Sequence, residues 1–476
     1  MGKILIKNGF IVTLDSERRV FDSGFVAVEG SAITAVGGHA ELESQGPFDE
    51  VFDVRGMIVL PGLINAHTHH LGNLFKGVRD GFAQAESHLK TLYPLLSNIT
   101  DEDMRVSSYL ACIEMLKTGT TCCLNHLIGY VTEETIQAVA EPVIELGMRQ
   151  TIGTAMANNP ERPFSKEYPL RMRHPRTLDE ELDLAESVIS NWHGAAAGRV
   201  RIALAIETQD AAVLYGGTTE DLIIEGTALA EKYDLKITTH SAADPPSKVY
   251  RDYLRLTGRS DIEFLVNLGV LSPVYVLVHC VGAGERDIQS IGESGASVVT
   301  NPVANAFLCN GVAPVKRMMQ NGINVALGND TAMINHSVDM IEQMKFCSLL
   351  QNVFTLDPTA IPPEKALEFA TINGAKALGI EGSVGSLEMG RRADVVIFDL
   401  RGANTSVVNR PVSNLVYGAR GLDANLVMVD GKILVKEGKL VAFDREEEVI
   451  AEATERAQIT LKKAGLTYLT HRPWPR

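Results

Sequence analysis

The chain lacks the features that would place it in a membrane or on nucleic acid. No apolar run approaches the roughly 18 residues that a membrane-spanning helix needs. Its 59 acidic residues outnumber 44 basic ones, for a formal net charge of −15, and lysine and arginine form no dense stripe. This balance argues against nucleic acid or an anionic membrane surface as a partner, and we expect a small-molecule substrate instead.

The chain also lacks signs of an oxidising compartment. Its six cysteines contain no Cys-x-x-Cys pair and lie in or near apolar segments, so we expect them to be reduced and buried. The first residues have no apolar core followed by a small-residue cleavage site. We therefore expect a cytoplasmic protein.

Three regions differ in their pattern, within 476 residues of ordinary globular composition. Residues 1–57 are short strand signals separated by turns, and this style returns in residues 381–476, which end in a helix and a tail. Between residues 58 and 380, apolar strand-like runs alternate with segments of helical period, as in the strand at 200–206 and the helix over 219–233. Repeated strand-then-helix units indicate parallel strands with crossover helices, so we predict a (β/α)8 barrel with one small β domain built from both termini.

The most informative stretch of the chain follows a predicted buried strand at 57–60 and carries His67 and His69. Side chains alternate along an extended backbone, so both imidazoles point the same way. Neutral histidine nitrogens are common ligands of divalent metals. The pair is therefore half of a candidate metal site.

The barrel prediction requires functional side chains at the C-terminal ends of its strands. Polar residues that suit metal ligation or proton transfer do follow the later predicted strands, at Glu207, His240, His279 and Asp330. Together with the first pair they would be costly to desolvate in one cleft without a cation. We therefore predict a metal hydrolase site.

Motifs spread over nearly the whole chain support that prediction. They are VLPGLINAHTH at 59–69, KTGTT at 117–121, HC at 279–280, NPVAN at 301–305, GVAPV at 311–315, GND at 328–330, NHSVDM at 335–340, ATINGA at 370–375 and GSLEMGRRAD at 385–394. Together they resemble the amidohydrolase superfamily, and most closely its cytosine deaminase-like and atrazine chlorohydrolase-like branch.

The resemblance implies a distorted (β/α)8 barrel, or TIM barrel, with a small β-sandwich formed by both termini. It implies metal ligands at His67, His69, His240 and Asp330, with His279 near the attacking water or on a second metal. A bound Zn²⁺ would lower the pKa of water to near 7 and so supply hydroxide at neutral pH, with Asp330 taking the proton of that water. His279 would polarise the substrate oxygen or stabilise the tetrahedral intermediate. Fe²⁺, Co²⁺ or Mn²⁺ would also suit mixed histidine and carboxylate ligation.

One position departs from the pattern of that branch. Three residues after the histidine of the fifth strand, the branch carries a glutamate that protonates the ring nitrogen or leaving group, whereas this chain has Ala243. Attack on an aromatic ring needs such an acid more than attack on a carbonyl does. The sequence therefore favours hydrolysis of a carbon–nitrogen bond in an amide, carbamate or urea-like molecule, as in the phenylurea and thiocarbamate hydrolases of the superfamily.

The alternative is a ring deaminase or chlorohydrolase in which another carboxylate replaces the lost acid. Asp244 is one candidate, although Pro245 and Pro246 stiffen its backbone. Glu207 is the better one, because it ends a barrel strand, and it is also a candidate ligand of a second metal. A third hypothesis, from another class, is a metal-binding homologue without activity.

Other residues carry weaker signals. We expect His70 to point away from the metal pair, and we expect Asn125 and His126 either to line the pocket or to be structural. The segment from Phe75 to Tyr93 occupies a place where barrel loops form substrate walls. By analogy with barrels of this kind, we expect a homo-oligomer, a dimer or larger.

Overall fold

The computed structural model describes residues 2–42, 46–129, 131–158, 176–207 and 218–470. Within these ranges, two β-sheets organise the chain, one from both ends and one from the middle. The strands are β1 Lys3–Val12, β2 Val20–Glu29, β3 Ala32–Gly38, β4 Glu50–Asp53, β5 Met57–Pro61, β6 Leu63–Thr68, β7 Thr120–His126, β8 Arg149–Met156, β9 Val200–Ile206, β10 Ile237–Ser241, β11 Tyr275–His279, β12 Ser297–Thr300, β13 Val325–Leu327, β14 Val395–Asp399, β15 Ala424–Val429, β16 Lys432–Lys436 and β17 Lys439–Leu440.

The middle of the chain forms the predicted barrel. Among the described residues, its sheet has eight strands in the order β6 to β13, and every neighbouring pair is parallel. A parallel bridge between Thr68 and Asp330 joins the last strand to the first. The strands are almost entirely buried, as expected for a parallel sheet whose two faces are both covered.

Helices follow the barrel strands and begin at residues that suit helix N-termini. Thr100, Thr132, Thr177 and Ser260 each accept a hydrogen bond from the backbone three residues later, which completes a capping box. The principal helices are Asp101–Lys117, Glu133–Leu146, Leu178–Trp192, Glu220–Lys232, Lys248–Thr257, Asp261–Asn267, Glu285–Ser294, Pro302–Phe307, Val315–Gln320, Met340–Thr355, Pro363–Phe369, Ile372–Leu378, Pro411–Gly418 and Glu446–Lys463.

Shorter helical pieces complete the fold. They are His39–Leu42, His70–Leu74, Gln84–Ser87, His88–Leu92, Tyr93–Leu96, Ala195–Gly198, Ala332–Asn335, Gly421–Asp423 and Thr467–Thr470. No helix in the described ranges has the length and apolar character that a membrane crossing requires. Most cysteines are buried as expected, but Cys309 is exposed.

The two ends of the chain form the second sheet, as predicted. In the described residues it has nine strands, in the order β17-β16-β15-β14-β5-β1-β2-β3, with β4 paired to β1. The predicted strand at 57–60 is present as β5, but it pairs with β1 and β14 and so belongs to this sheet rather than to the barrel. The domain limits at 57 and 380 stay predictions, and residues 471–476 of the expected tail lie outside the described residues.

Gly62 separates β5 of the terminal sheet from β6 of the barrel within one apolar run of the sequence. Its backbone N–H donates to the carbonyl of Asp394 in the terminal unit, and the next residue, Leu63, donates to the carbonyl of Gly119 in the barrel. A Cβ at position 62 would lie 2.0 Å from the Oγ1 atom of Thr121. Only glycine therefore lets the chain step from one sheet to the other at this close approach.

A buried ion cluster connects the start of β8 to the terminal sheet. Arg149 donates from Nε and Nη2 to the two carboxylate oxygens of Asp394 at 3.0 and 3.1 Å, and from Nη2 to Asp430 at 2.7 Å. All three side chains are buried. Neighbouring carboxylates raise the pKa of Arg149 despite the opposing effect of burial.

We expect Arg149→Met to lower the free energy of unfolding by about 3–5 kcal/mol, because it leaves Asp394 buried without its cation and leaves Asp430 only the more distant Arg392 and Arg199. The matched control is Arg401→Met, which removes an ion pair with Asp399 at the surface and should cost at most ~1 kcal/mol. Urea denaturation of both variants measures the difference. Equal costs would contradict a buried clamp between the two sheets.

Candidate active site

The ends of the barrel strands bring four predicted metal ligands together. His67 lies in β6, His69 follows its last residue, His240 lies in β10, and Asp330 follows β13. One ligand atom from each of the four side chains lies within 4.8 Å of the others. The sequence prediction of a shared site at this end of the barrel therefore agrees with the geometry.

The donor atoms face one another rather than other partners. The Oδ1 atom of Asp330 lies 3.4 Å from Nε2 of His69 and 3.7 Å from Nε2 of His67. The Nε2 atoms of His69 and His240 are 3.3 Å apart. Both ring nitrogens of His67 are buried and have no hydrogen-bond partner in the described part of the chain. A buried imidazole without partners, beside a carboxylate, fits a divalent cation.

Hydrogen bonds at the other ring nitrogens orient two of these ligands. The Nδ1 atom of His69 lies 2.6 Å from the backbone oxygen of His126, and Nδ1 of His240 lies 2.7 Å from Oε1 of Glu207. Oxygen acceptors at Nδ1 place the hydrogen there and leave the lone pair on Nε2. Both rings thus present Nε2 to the cluster.

The electrostatics of the cluster favour an ionised carboxylate and mostly neutral imidazoles. Burial raises the pKa of Asp330, but the facing histidines His67 and His69 outweigh it and hold that pKa well below its usual range. Burial lowers the pKa of His67 well below its usual value. For His240, burial lowers the pKa, but the charge and hydrogen bond of Glu207, together with the charge of Asp330, outweigh burial and raise it.

His279, the last residue of β11, lies beside the cluster. Its ring centroid is 5.5 Å from that of His240, and its Nδ1 atom lies 2.8 Å from Oδ1 of Asn305. Burial lowers its pKa to about 4, so the ring is neutral near pH 7. Both His279 and Asp330 have positive φ angles, 73° and 65°, a conformation that non-glycine residues adopt mainly where function or tight geometry requires it.

Glu207 and His126 form a second group against the cluster. Oε1 of Glu207 lies 3.1 Å from Nε2 of His126 as well as 2.7 Å from Nδ1 of His240. Burial raises the pKa of Glu207, but the charge of His240 and the two hydrogen bonds hold it well below its usual value. Sequence reasoning left the role of His126 open, although its place at the end of β7 follows the same rule as the other site residues.

A cavity of about 1010 Å³ opens onto this cluster. His69, His126, Glu207, His240, His279 and Asp330 all line it. The predicted wall segment contributes Arg79, His88 and Tyr93, with the rings of His88 and Tyr93 stacked at 6.0 Å. Phe82 of that segment is not among the described lining residues.

Several other candidates, including Ala243 and Asp244, are not among the described residues that line the cavity. His70 contacts Ser108 at 3.2 Å and Cys123 at 3.6 Å on the far side of β6, as expected. Asn305 orients His279 by accepting a hydrogen bond from its Nδ1.

Sequence comparison connects this geometry to a family. The sequence model of the amidohydrolase family matches residues 58–434. The chain is also 32% identical, over 93% of its length and 95% of the relative's, to a 5-methylthioadenosine/S-adenosylhomocysteine deaminase of Syntrophobacter fumaroxidans. The chain belongs to the amidohydrolase family. It is a metal-dependent hydrolase, as the sequence predicted.

Other members of the family are similar along nearly the whole chain. A 5′-deoxyadenosine deaminase of Methanosarcina mazei is 31% identical over 96% of this amidohydrolase and 98% of that relative. The crystal structure of a zinc-bound adenosine deaminase of Xanthomonas campestris superposes with a TM-score of 0.86, at 24% identity over 96% of this chain and 98% of that one. The superposition on this crystal structure supports the fold of the chain.

Removal of metal should destabilise the protein, because a ligand that binds only the folded state adds its binding free energy to stability. We expect a chelator to lower the melting temperature and added Zn²⁺ to restore it. Asp330→Asn removes a metal ligand, so its melting temperature should be the same with and without chelator. Asp339→Asn is the control, since Asp339 is a half-buried carboxylate that caps a helix by accepting from the N–H of Ile341, and this variant should still respond to chelator and Zn²⁺.

Asp244 gives a prediction about pH. Burial raises the pKa of its carboxyl group from 3.8 to about 6 in the folded state. Ionisation is therefore less favourable in the folded protein than in the unfolded protein, and it lowers the free energy of unfolding. That cost is absent below about pH 4 and complete above about pH 6. Asp244→Asn should therefore raise the free energy of unfolding by about 1–3 kcal/mol at pH 7.5 and by roughly half as much at pH 5. A gain that does not change with pH would contradict this account.

Proposed function

We propose that this amidohydrolase removes an amino group from an aminated heterocycle by hydrolysis, with adenine nucleosides altered at the 5′ carbon as its substrate class. The observation that carries the reaction type is the convergence of three histidines and one aspartate at the base of a cavity of about 1010 Å³. Relatives at 31–32% identity over nearly the full chain, named as deaminases of such nucleosides, support the substrate class. They support deamination better than the amide, carbamate or urea hydrolysis that the sequence favoured.

His67, His69, His240 and Asp330 would hold the divalent ion, and Zn²⁺ suits this set of nitrogen and oxygen donors. When bound, such an ion lowers the pKa of water and polarises the bond under attack. A zinc-bound structural relative supports the choice of metal.

Two side chains are placed to handle protons. Asp330 is ionised and can take one proton of the attacking water with its second oxygen, then pass it to the departing amine, which leaves as ammonia. The second proton of the water ends on the ring nitrogen of the product. The Nδ1 atom of His279 is held by Asn305, which leaves Nε2 of a neutral ring as an acceptor toward the cavity. We therefore assign His279 to orienting the water rather than to donating a proton.

Ala243 supports a second candidate reaction. A ring deaminase needs a proton on the ring nitrogen, and alanine at the place of the branch's glutamate cannot give one. Glu207 already accepts two hydrogen bonds from imidazoles, and Asp244 is not among the described lining residues. Hydrolysis of a carbonyl carbon–nitrogen bond needs no such acid, so carbamates and ureas belong in the substrate panel.

Ammonia release from 5′-deoxyadenosine and 5′-methylthioadenosine, measured with zinc-loaded protein, tests the proposal. We expect release at a rate that Asp330→Asn lowers by at least about a thousandfold, since this variant loses both a ligand and a base. Carbamates and phenylureas serve as the comparison panel, with amine release as the signal. Turnover of that panel without any nucleoside deamination would overturn the main proposal in favour of the second.

A glutamate placed at position 243 tests whether the missing general acid limits deamination. In a ring deaminase, Ala243→Glu should raise kcat for nucleosides by about 10–100-fold, the contribution typical of a placed general acid. Ala243→Gln has the same shape without an acidic proton and should give no gain. Equal effects of the two variants would show that position 243 acts through shape alone.

A further inference from the structure

Glu207 is the centre of a hydrogen-bond chain that ends on the candidate metal ligands. Its Oε1 atom lies 2.7 Å from Nδ1 of His240 and 3.1 Å from Nε2 of His126. The side chain of Glu207 is only 17% exposed. A carboxylate at this depth is stabilised by the two N–H groups that point at it.

The Glu207 carboxylate fixes the direction of these hydrogen bonds, and the far side of His126 is compatible with that direction. The Nδ1 atom of His126 lies 3.2 Å from the hydroxyl of Thr238, which is fully buried in β10. Because the carboxylate can only accept, His126 carries its hydrogen on Nε2 and donates to Glu207, and the Thr238 hydroxyl, which can donate or accept, then donates to Nδ1. Glu207 then accepts a second hydrogen bond from Nδ1 of His240, and Nε2 of His240 keeps its lone pair for the cluster.

His126 also holds a second ligand through its backbone. Its carbonyl oxygen accepts a hydrogen bond from Nδ1 of His69 at 2.6 Å. One residue at the end of β7 thus orients His69 directly and His240 through Glu207. Both ligand rings are held in the tautomer that a metal requires.

We propose that Glu207 and His126 are positioning residues that set metal affinity by fixing the tautomer and orientation of His240. This inference rests on the proposed metal-dependent function. The negative charge of Glu207 also favours positive charge on the far side of the His240 ring, where the ion would bind. Partners of this kind typically change metal affinity or activity 10–100-fold when they are removed.

A second ion between these residues is the competing explanation, because His126, Glu207 and His240 also have ligand atoms within 4.8 Å of one another. The geometry favours hydrogen bonds. Both nitrogens approach the same carboxylate oxygen, at 2.7 and 3.1 Å, which are direct hydrogen-bond distances.

Zinc affinity, measured by competition with a chromophoric chelator, tests the proposal without any substrate. We expect Glu207→Ala to raise the dissociation constant 10–100-fold, with Glu207→Gln in between because its amide oxygen still accepts a hydrogen bond but carries no charge. His126→Phe keeps the backbone carbonyl and should weaken binding less than Glu207→Ala. The double variant Glu207→Ala/His126→Phe should bind no more weakly than Glu207→Ala alone, since the two residues act on His240 in series.

Asp244→Asn is the matched control, because it neutralises a buried carboxylate in the loop after β10 that is not among the described cavity residues, and it should leave zinc affinity unchanged. The absorption spectrum of the cobalt-substituted protein should change in Glu207→Ala and stay constant in the control.

Affinities within twofold of the unmodified protein for Glu207→Ala would overturn the positioning role. Two metals per chain, falling to one in Glu207→Gln, would replace it with a second metal site. Failure of the unmodified protein to bind zinc at all would instead count against the proposed function.

Discussion

Charge balance in one buried cluster is the constraint on which the rest of the site depends. Three imidazoles present lone pairs and Asp330 presents a negative charge in a place where water is largely excluded. An uncompensated charge in such surroundings costs several kcal/mol, and a cation at the centre offsets that cost. Because the ligands come from separate strands, metal binding also stabilises the barrel end where they meet.

The barrel brings these ligands together from distant parts of the sequence. Parallel strands end on the same face of the barrel, and the bridge between Thr68 and Asp330 joins its last strand to its first. The left-handed backbone at His279 and Asp330 turns the chain sharply where each strand ends. The Arg149 cluster, at the other end of β8, fixes the terminal sheet against the barrel.

Much of the site could be predicted from local sequence, and the remainder could not. The alternation of an extended chain predicted the shared face of His67 and His69, and strand ends predicted Glu207, His240, His279 and Asp330. Pairing partners are not local, so the buried strand predicted at 57–60 could not be assigned to a sheet from sequence, and its neighbours are β1 and β14. The contacts of Glu207 with His126 and His240 depend on three different strands, and no spacing rule could reveal them.

The most direct test of the central claim is anomalous diffraction above the zinc absorption edge from crystals grown with Zn²⁺. The account predicts one strong peak about 2.0–2.2 Å from Nε2 of His67, His69 and His240 and from an oxygen of Asp330. The absence of density there, or a peak between His126 and Glu207 alone, would contradict it.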